Sequence, residues 1–148
     1  MRMLIALLMV LGLGNAAQAA ELMGAAEARS AALAGEIVLV DIRTPEEWAK
    51  TGVADVAHPL NMRGQGFVAR LKKLMDANAG KTLAVICATG GRSTFLTEAL
   101  RQRGLSIVNV REGMLGSNDG PGWLKRSLPV RAPDAARTGW WRSTGITN

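Results

Sequence analysis

Short, continuous apolar runs alternate along this chain with longer stretches whose apolar residues fall three and four positions apart. Ile37-Val38-Leu39-Val40, Thr82-Leu83-Ala84-Val85-Ile86 and residues 105–110 belong to the first kind, the pattern of parallel strands covered on both faces. The second kind predicts helices. Leu22, Ala25, Ala26, Arg29 and Leu33 share a helical spacing over 21–33, with Gly35 as the stop. Phe67, Val68, Leu71, Leu74 and Met75 do the same over 66–78, where Arg70, Lys72 and Lys73 fall on other faces. A third helix is expected over 93–103, stopped by Gly104. Thr44-Pro45-Glu46-Glu47 reads as a helix start, with Thr44 as cap, proline in the first position and acids in the first turn. A short strand is expected over 57–60, and a Gly-rich, mobile wall over 111–122. Trp123 is expected in the core, on a short last helix. Strand and helix alternate throughout, which predicts an α/β fold with a parallel sheet and right-handed crossovers.

The amino terminus departs from this pattern. Met1-Arg2-Met3 is basic, residues 4–13 are apolar, and Ala17-Gln18-Ala19 places small residues at a cleavage spacing. The segment reads as a signal peptide over 1–19, cleaved to give an exported, periplasmic product. It is too short to stay as an anchor, because a span needs roughly 20 apolar residues. Residues 20–128 would then form the domain and 129–148 a C-terminal extension. With 148 residues, 48% apolar and 20% charged, the chain suits one domain with a real core.

The formal net charge is +6, and beyond Gly120 the bases Lys125, Arg126, Arg131, Arg137 and Arg142 face Asp134 alone. The basic tail reads as solvated charge. It could also favour an anionic substrate, an acidic partner or lipid headgroups. Trp140-Trp141 reads as a clasp back onto the domain, with an exposed docking patch as the alternative. Nothing in the aromatic pattern points to nucleic acid.

Cys87 is the only cysteine. That excludes an internal disulfide, a Cys-x-x-Cys redox pair and a cysteine-rich zinc site. It follows a buried strand and opens Cys87-Ala88-Thr89-Gly90-Gly91-Arg92-Ser93, which leads into a helix. Ligands of open α/β sheets bind beyond the carboxyl ends of the strands, where this loop is expected. The glycines let the backbone curl so that successive N–H groups converge on the sulfur. The helix start and Arg92 add positive charge there, and such surroundings lower a cysteine from its usual ~8.5 by one to several units. His58 is the one histidine, and a lone histidine rarely makes a metal site. The adjacent Glu46 and Glu47 point apart on a helix and read as structural.

This loop resembles that of the rhodanese family, and the likeness extends along residues 21–123. Asp41-Ile42-Arg43-Thr44-Pro45-Glu46-Glu47-Trp48 looks like that family's D-x-R-x-x-x-E-[YFW] signature. Ala57-His58-Pro59-Leu60-Asn61-Met62 falls where the family has its Gly-His-Ile-Pro-Gly-Ala…Asn-Ile stretch. Val108-Asn109-Val110-Arg111-Glu112-Gly113-Met114 with Trp123 is similar to its closing motif. The chain departs from the family at Val53, which stands in place of its histidine, and at Asp55-Val56, in place of its Pro-Gly.

The resemblance implies a three-layer α/β/α domain around a mostly parallel sheet of about five strands. It implies Cys87 as the catalytic residue, Ala88, Thr89, Gly90, Gly91, Arg92 and Ser93 as the substrate-binding loop, and Asp41 and Arg43 as supporting residues. The expected pairing on that shelf is Arg43 with Glu46 or Glu47. The implied activity is transfer of sulfane sulfur from a donor such as thiosulfate to cyanide or a thiol, through a Cys87 persulfide, with no cofactor and no metal. Arg92 would position the anionic donor. Loops of the phosphatase and arsenate reductase type usually run seven residues from cysteine to arginine, whereas Cys87 to Arg92 spans six, a ring suited to one sulfur atom. The alternative is a noncatalytic periplasmic sulfur carrier or interaction module that docks a protein partner through its tail.

Overall fold

The computed structural model describes residues 22–133. In chain order the elements are β1 (Leu22–Met23), α1 (Ala25–Leu33), β2 (Ile37–Asp41), α2 (Pro45–Thr51), β3 (Val53–Ala54), β4 (Ala57–Pro59), α3 (Phe67–Ala77), β5 (Thr82–Ile86), α4 (Gly91–Arg101), β6 (Ile107–Val110), α5 (Gly122–Lys125) and β7 (Val130–Arg131). A five-stranded sheet in the order β1-β6-β5-β2-β4 is parallel at every pairing. This is the expected three-layer architecture.

The two-residue period of the strands sorts the core into two layers. Ile37, Leu39, Ala84, Ile86, Val108 and Val110 point to one side, where they meet Ala25, Ala28 and Ala31 of α1 and Trp123 of α5. Val38, Val40, Leu83, Val85 and Ile107 point to the other, against Phe67, Leu71 and Leu74 of α3 and Leu96 of α4. β2 and β5 are central and buried nearly throughout, which explains their uninterrupted apolar sequences.

Several expected boundaries move. The helix expected over 21–33 begins at Ala25, because Leu22 and Met23 pair with Asn109 and Val110 as an edge strand. Leu33, expected on its apolar stripe, is exposed, and the small alanines instead bring α1 close to the sheet. The start of α2 matches expectation. Glu47 N–H donates to Thr44 Oγ1 at 3.4 Å and Thr44 N–H donates to Glu47 Oε2 at 3.0 Å, a reciprocal capping box with Pro45 in the first turn.

The chain beyond residue 128, expected to open an extension, returns to the domain as far as the structure follows it. β7 pairs antiparallel with β3. The Pro129 carbonyl accepts from Trp123 Nε1 at 2.9 Å and from Asp55 N at 3.1 Å. The expected signal segment and Trp140-Trp141 lie outside the described residues. Among the described residues no helix is long and apolar enough to cross a membrane.

Candidate active site

Cys87 continues the alternation of β5: Leu83, Val85 and Cys87 all face the α3/α4 side of the sheet. Its side chain therefore points to the start of α4 and is 1% exposed. Gly90 turns the chain back over it. At φ 91° this residue lies in the left-handed region, and a Cβ there would strike the Arg111 carbonyl oxygen. The turn aims Gly90 N–H at Cys87 Sγ, 3.2 Å away.

Ser93 and Thr94 lock that turn. The Gly90 carbonyl accepts from Thr94 N at 2.9 Å, Thr94 Oγ1 at 2.8 Å and Ser93 Oγ at 3.0 Å. Asn109 Nδ2 in turn donates to Thr94 Oγ1 at 2.8 Å. Ser93 Oγ also lies 3.4 Å from the sulfur. Rotation of one hydroxyl thus decides whether its proton serves the Gly90 carbonyl or the thiol. The amides of Gly91, Arg92 and Ser93 open α4 and have no acceptor within the helix, so its positive end begins beside the sulfur, while the backbone hydrogen bond to Sγ comes from Gly90. Of the two glycines expected to shape the loop, Gly90 alone requires its identity, since a Cβ at Gly91 would meet nothing within 4 Å.

The segment after β6 forms one wall, as expected, but it is pinned to the Cys87 loop by backbone bonds. Met114 N–H donates to the Cys87 carbonyl at 2.9 Å and Leu115 N–H to the Ala88 carbonyl at 2.8 Å. Gly113, at φ 66°, lets the strands approach so closely that a Cβ would overlap the Ala88 carbonyl.

Behind this wall Glu112 is a buried clamp. Its carboxylate accepts from Ala25 N at 2.5 Å, Gly122 N at 2.8 Å and Arg126 Nε at 2.9 Å. Burial works to raise its pKa, but the hydrogen bonds from Ala25, Arg126 and Gly122 together hold it below the usual carboxylate value. The sequence reading missed Glu112. The signal available was an acid placed between the end of an apolar strand and a Gly-rich loop, where a solvated charge had no evident partner.

The arginines pair differently from expectation. Arg43, expected to meet Glu46 or Glu47, instead closes on Asp41, with Nε 3.0 Å from Oδ1 and Nη2 2.7 Å from Oδ2. It also donates to Thr51 Oγ1 and the Gly52 carbonyl, both at 2.8 Å, tying the end of β2 to the end of α2. Glu47 takes Arg92 instead: Nη1 donates to Oε2 at 2.8 Å and Nη2 to Oε1 at 2.6 Å. The hydrogen bond from Arg92 outweighs desolvation and, with that from the Thr44 amide, pulls Glu47 down to about 2; the same partner raises Arg92. Arg92, expected to offer a free charge to a donor, is therefore already engaged on both terminal nitrogens. His58 sits on β4, where burial, then Arg131 and Lys81, lowers its pKa to about 4.

The structure thus brings Cys87, Gly90 and Ser93 into direct contact, with Ala88 and Thr89 forming the arc between them and Gly91 and Arg92 the first turn of α4. Asp41 and Arg43 form a sealed pair one strand away, at the end of β2, which lies beside β5. Among the described residues no group of three or more His, Cys, Asp or Glu side chains could hold a metal ion.

Comparison with known proteins agrees with this architecture. A rhodanese-related protein from Thermoplasma volcanium is 26% identical, covering 75% of this chain and 97% of its own, with a TM-score of 0.54. The protein Rv0390 from M. tuberculosis has a TM-score of 0.58 at 24% identity, covering 77% of this chain and 98% of its own, a likeness of fold. An uncharacterized protein of Rickettsia prowazekii (strain Madrid E) is 24% identical over 98 residues, 62% of this chain and 80% of that one. The family model of the rhodanese-like domain matches residues 18–118, from just before β1 through the loop pinned to Cys87. With a family match across most of its length, a sheet of the same kind and a cysteine loop at the end of its central strand, this chain belongs to the rhodanese-like domain family.

Proposed function

We propose that this protein is a periplasmic sulfurtransferase that carries sulfane sulfur on Cys87. The supporting observation is the placement of its sole thiol: Gly90 N–H points at Sγ from 3.2 Å, and α4 begins beside it. The Cys87 thiolate attacks the outer sulfur of a donor such as thiosulfate. A bond forms between the two sulfurs, the donor's S–S bond breaks, and its electron pair leaves with sulfite. Cyanide or a thiol then attacks the terminal sulfur and Cys87 departs as thiolate. The amides of residues 88–92 and the Ser93 hydroxyl hold the negative terminal sulfur, so no histidine base is required. Export rests on the sequence of residues 1–19.

A second reading is favoured by the burial of Cys87, which is 1% exposed. A sulfur carrier or interaction module that exchanges sulfur only with a docked protein would have such a shielded thiol. Multiple-turnover transfer to cyanide and to small thiols separates the two. The enzyme reading expects sustained turnover by the full chain that is lost in Cys87→Ser. Turnover that survives in Cys87→Ser would overturn it, and a single stoichiometric transfer would favour the carrier.

A further inference from the structure

The Gly90 carbonyl has more donors than it can serve. Thr94 N–H donates to it at 2.9 Å, Thr94 Oγ1 at 2.8 Å and Ser93 Oγ at 3.0 Å, whereas a carbonyl oxygen has two lone pairs. One donor is surplus. The Thr94 amide is fixed there, because it makes the first backbone bond of α4. The Thr94 hydroxyl is fixed from behind: Asn109, 3% exposed on β6, donates from Nδ2 to Thr94 Oγ1 at 2.8 Å, so the hydroxyl passes its own proton on to Gly90. Asn109 keeps this orientation although its Oδ1 has no partner among the described residues; turned about, it would bury an unpaired N–H instead.

Ser93 is left as the donor with a choice. Its Oγ lies 3.4 Å from Cys87 Sγ, and the two residues are 0% and 1% exposed, so solvent competes little for the proton. A charged sulfur is a stronger acceptor than a carbonyl that is already satisfied. We infer that Thr94 is a positioning residue for the sulfur chemistry: by filling both lone pairs of the Gly90 carbonyl, it releases the Ser93 proton to the charged sulfur on Cys87. This inference rests on the sulfurtransferase reading and adds to it a residue that never touches the reacting atoms. With Gly90 N–H already 3.2 Å from Sγ, the released hydroxyl gives one sulfur a second donor.

The test is a double-mutant cycle on the full chain, with Thr94→Val, Ser93→Ala and the two together. Valine keeps the shape of threonine, and the amide at position 94 still holds the turn. Single-turnover loading of Cys87 is followed against thiosulfate concentration. The expected maximal rate is about tenfold lower in Ser93→Ala, the lower end of what a hydrogen bond to a charged group contributes, and about threefold lower in Thr94→Val, with half-saturation unchanged in both. The double variant is no slower than Ser93→Ala, because Thr94 acts only through the hydroxyl already removed. Thr94→Ser, which keeps the donor, loads like the parent. Thiolate absorbance gives a readout independent of sulfur transfer, undisturbed because the chain has one cysteine and no tyrosine. At the pH where the parent's signal is half developed, it falls in Ser93→Ala and in Thr94→Val, and no further in the double variant. Losses that multiply in the double variant, or a Thr94→Val protein that matches the parent in loading and absorbance, overturn the inference while leaving the sulfurtransferase reading in place. A parent that takes up no sulfur overturns both.

Discussion

Arg43 and Arg92 each grip a carboxylate with two nitrogens, one pair sealed against the sheet and the other at the surface of the cysteine loop. The first pair is 1% and 0% exposed, the second 25% and 31%. Burial separates their roles. Arg43 also donates to Thr51 and Gly52, and its burial closes the pair to a ligand. Its value is positional: it fixes the turn from β2 into α2, and α2 carries Glu47. The Arg92 pair touches water, where ion pairs contribute little to stability and can exchange partners. Similar chemistry thus serves as a rivet in one place and as a replaceable contact in the other.

The sharpest way to break this contrast is Asp41→Asn. It leaves the Arg43 charge buried without its counter-ion and should cost about 3–5 kcal/mol in denaturant unfolding. A loss no larger than that of a surface substitution would remove the distinction between the pairs. Gly90→Ala should come next, at about 1–3 kcal/mol, because a left-handed residue would also have to clear the Arg111 carbonyl. It should slow sulfur loading as Gly90 N–H leaves Sγ, whereas Gly91→Ala, with open space at its Cβ, should be nearly neutral in both measurements.

The smallest effect belongs to the exposed pair. Glu47→Gln should change stability by at most about 1 kcal/mol at neutral pH. Its pH dependence carries a sign. The folded pKa, about 2, lies below the ordinary 4.5, so the stabilisation is complete above pH 4.5 and is lost as pH falls through about 2. Unfolding curves across that window should be steeper in pH for the parent than for Glu47→Gln. Equal slopes would mean that the Glu47–Arg92 pair does not form in solution.

Local chemistry made much of this legible in advance. The strand at Thr82–Ile86 lies where its apolar run put it, and Thr44 as the cap of α2 was readable from four adjacent residues. What was not legible depends on contacts between distant residues. Glu47 and Arg92 are 45 positions apart, so nothing near Glu47 reveals that pairing, whereas Asp41 stood two positions from Arg43 and was passed over for the acids at 46 and 47. The two-residue strands β1 and β7 have no periodicity to read, since each exists only because a partner strand presents an open edge. Glu112 entered the sequence reading only as part of a motif, because the amide of Ala25 that donates to it lies 87 positions away. At the site, the cysteine, its glycine turn and the following helix could be read locally, while the partners that decide which charges remain free could not.

The central claim is that the Cys87 pocket holds a second sulfur atom, and intact-protein mass spectrometry after incubation with thiosulfate or an organic persulfide tests it directly. The account predicts a gain of one sulfur atom in the parent, removed by excess cyanide, and no gain in Cys87→Ser. A parent whose mass is unchanged with both donors, or a Cys87→Ser variant that gains the same atom, would contradict it.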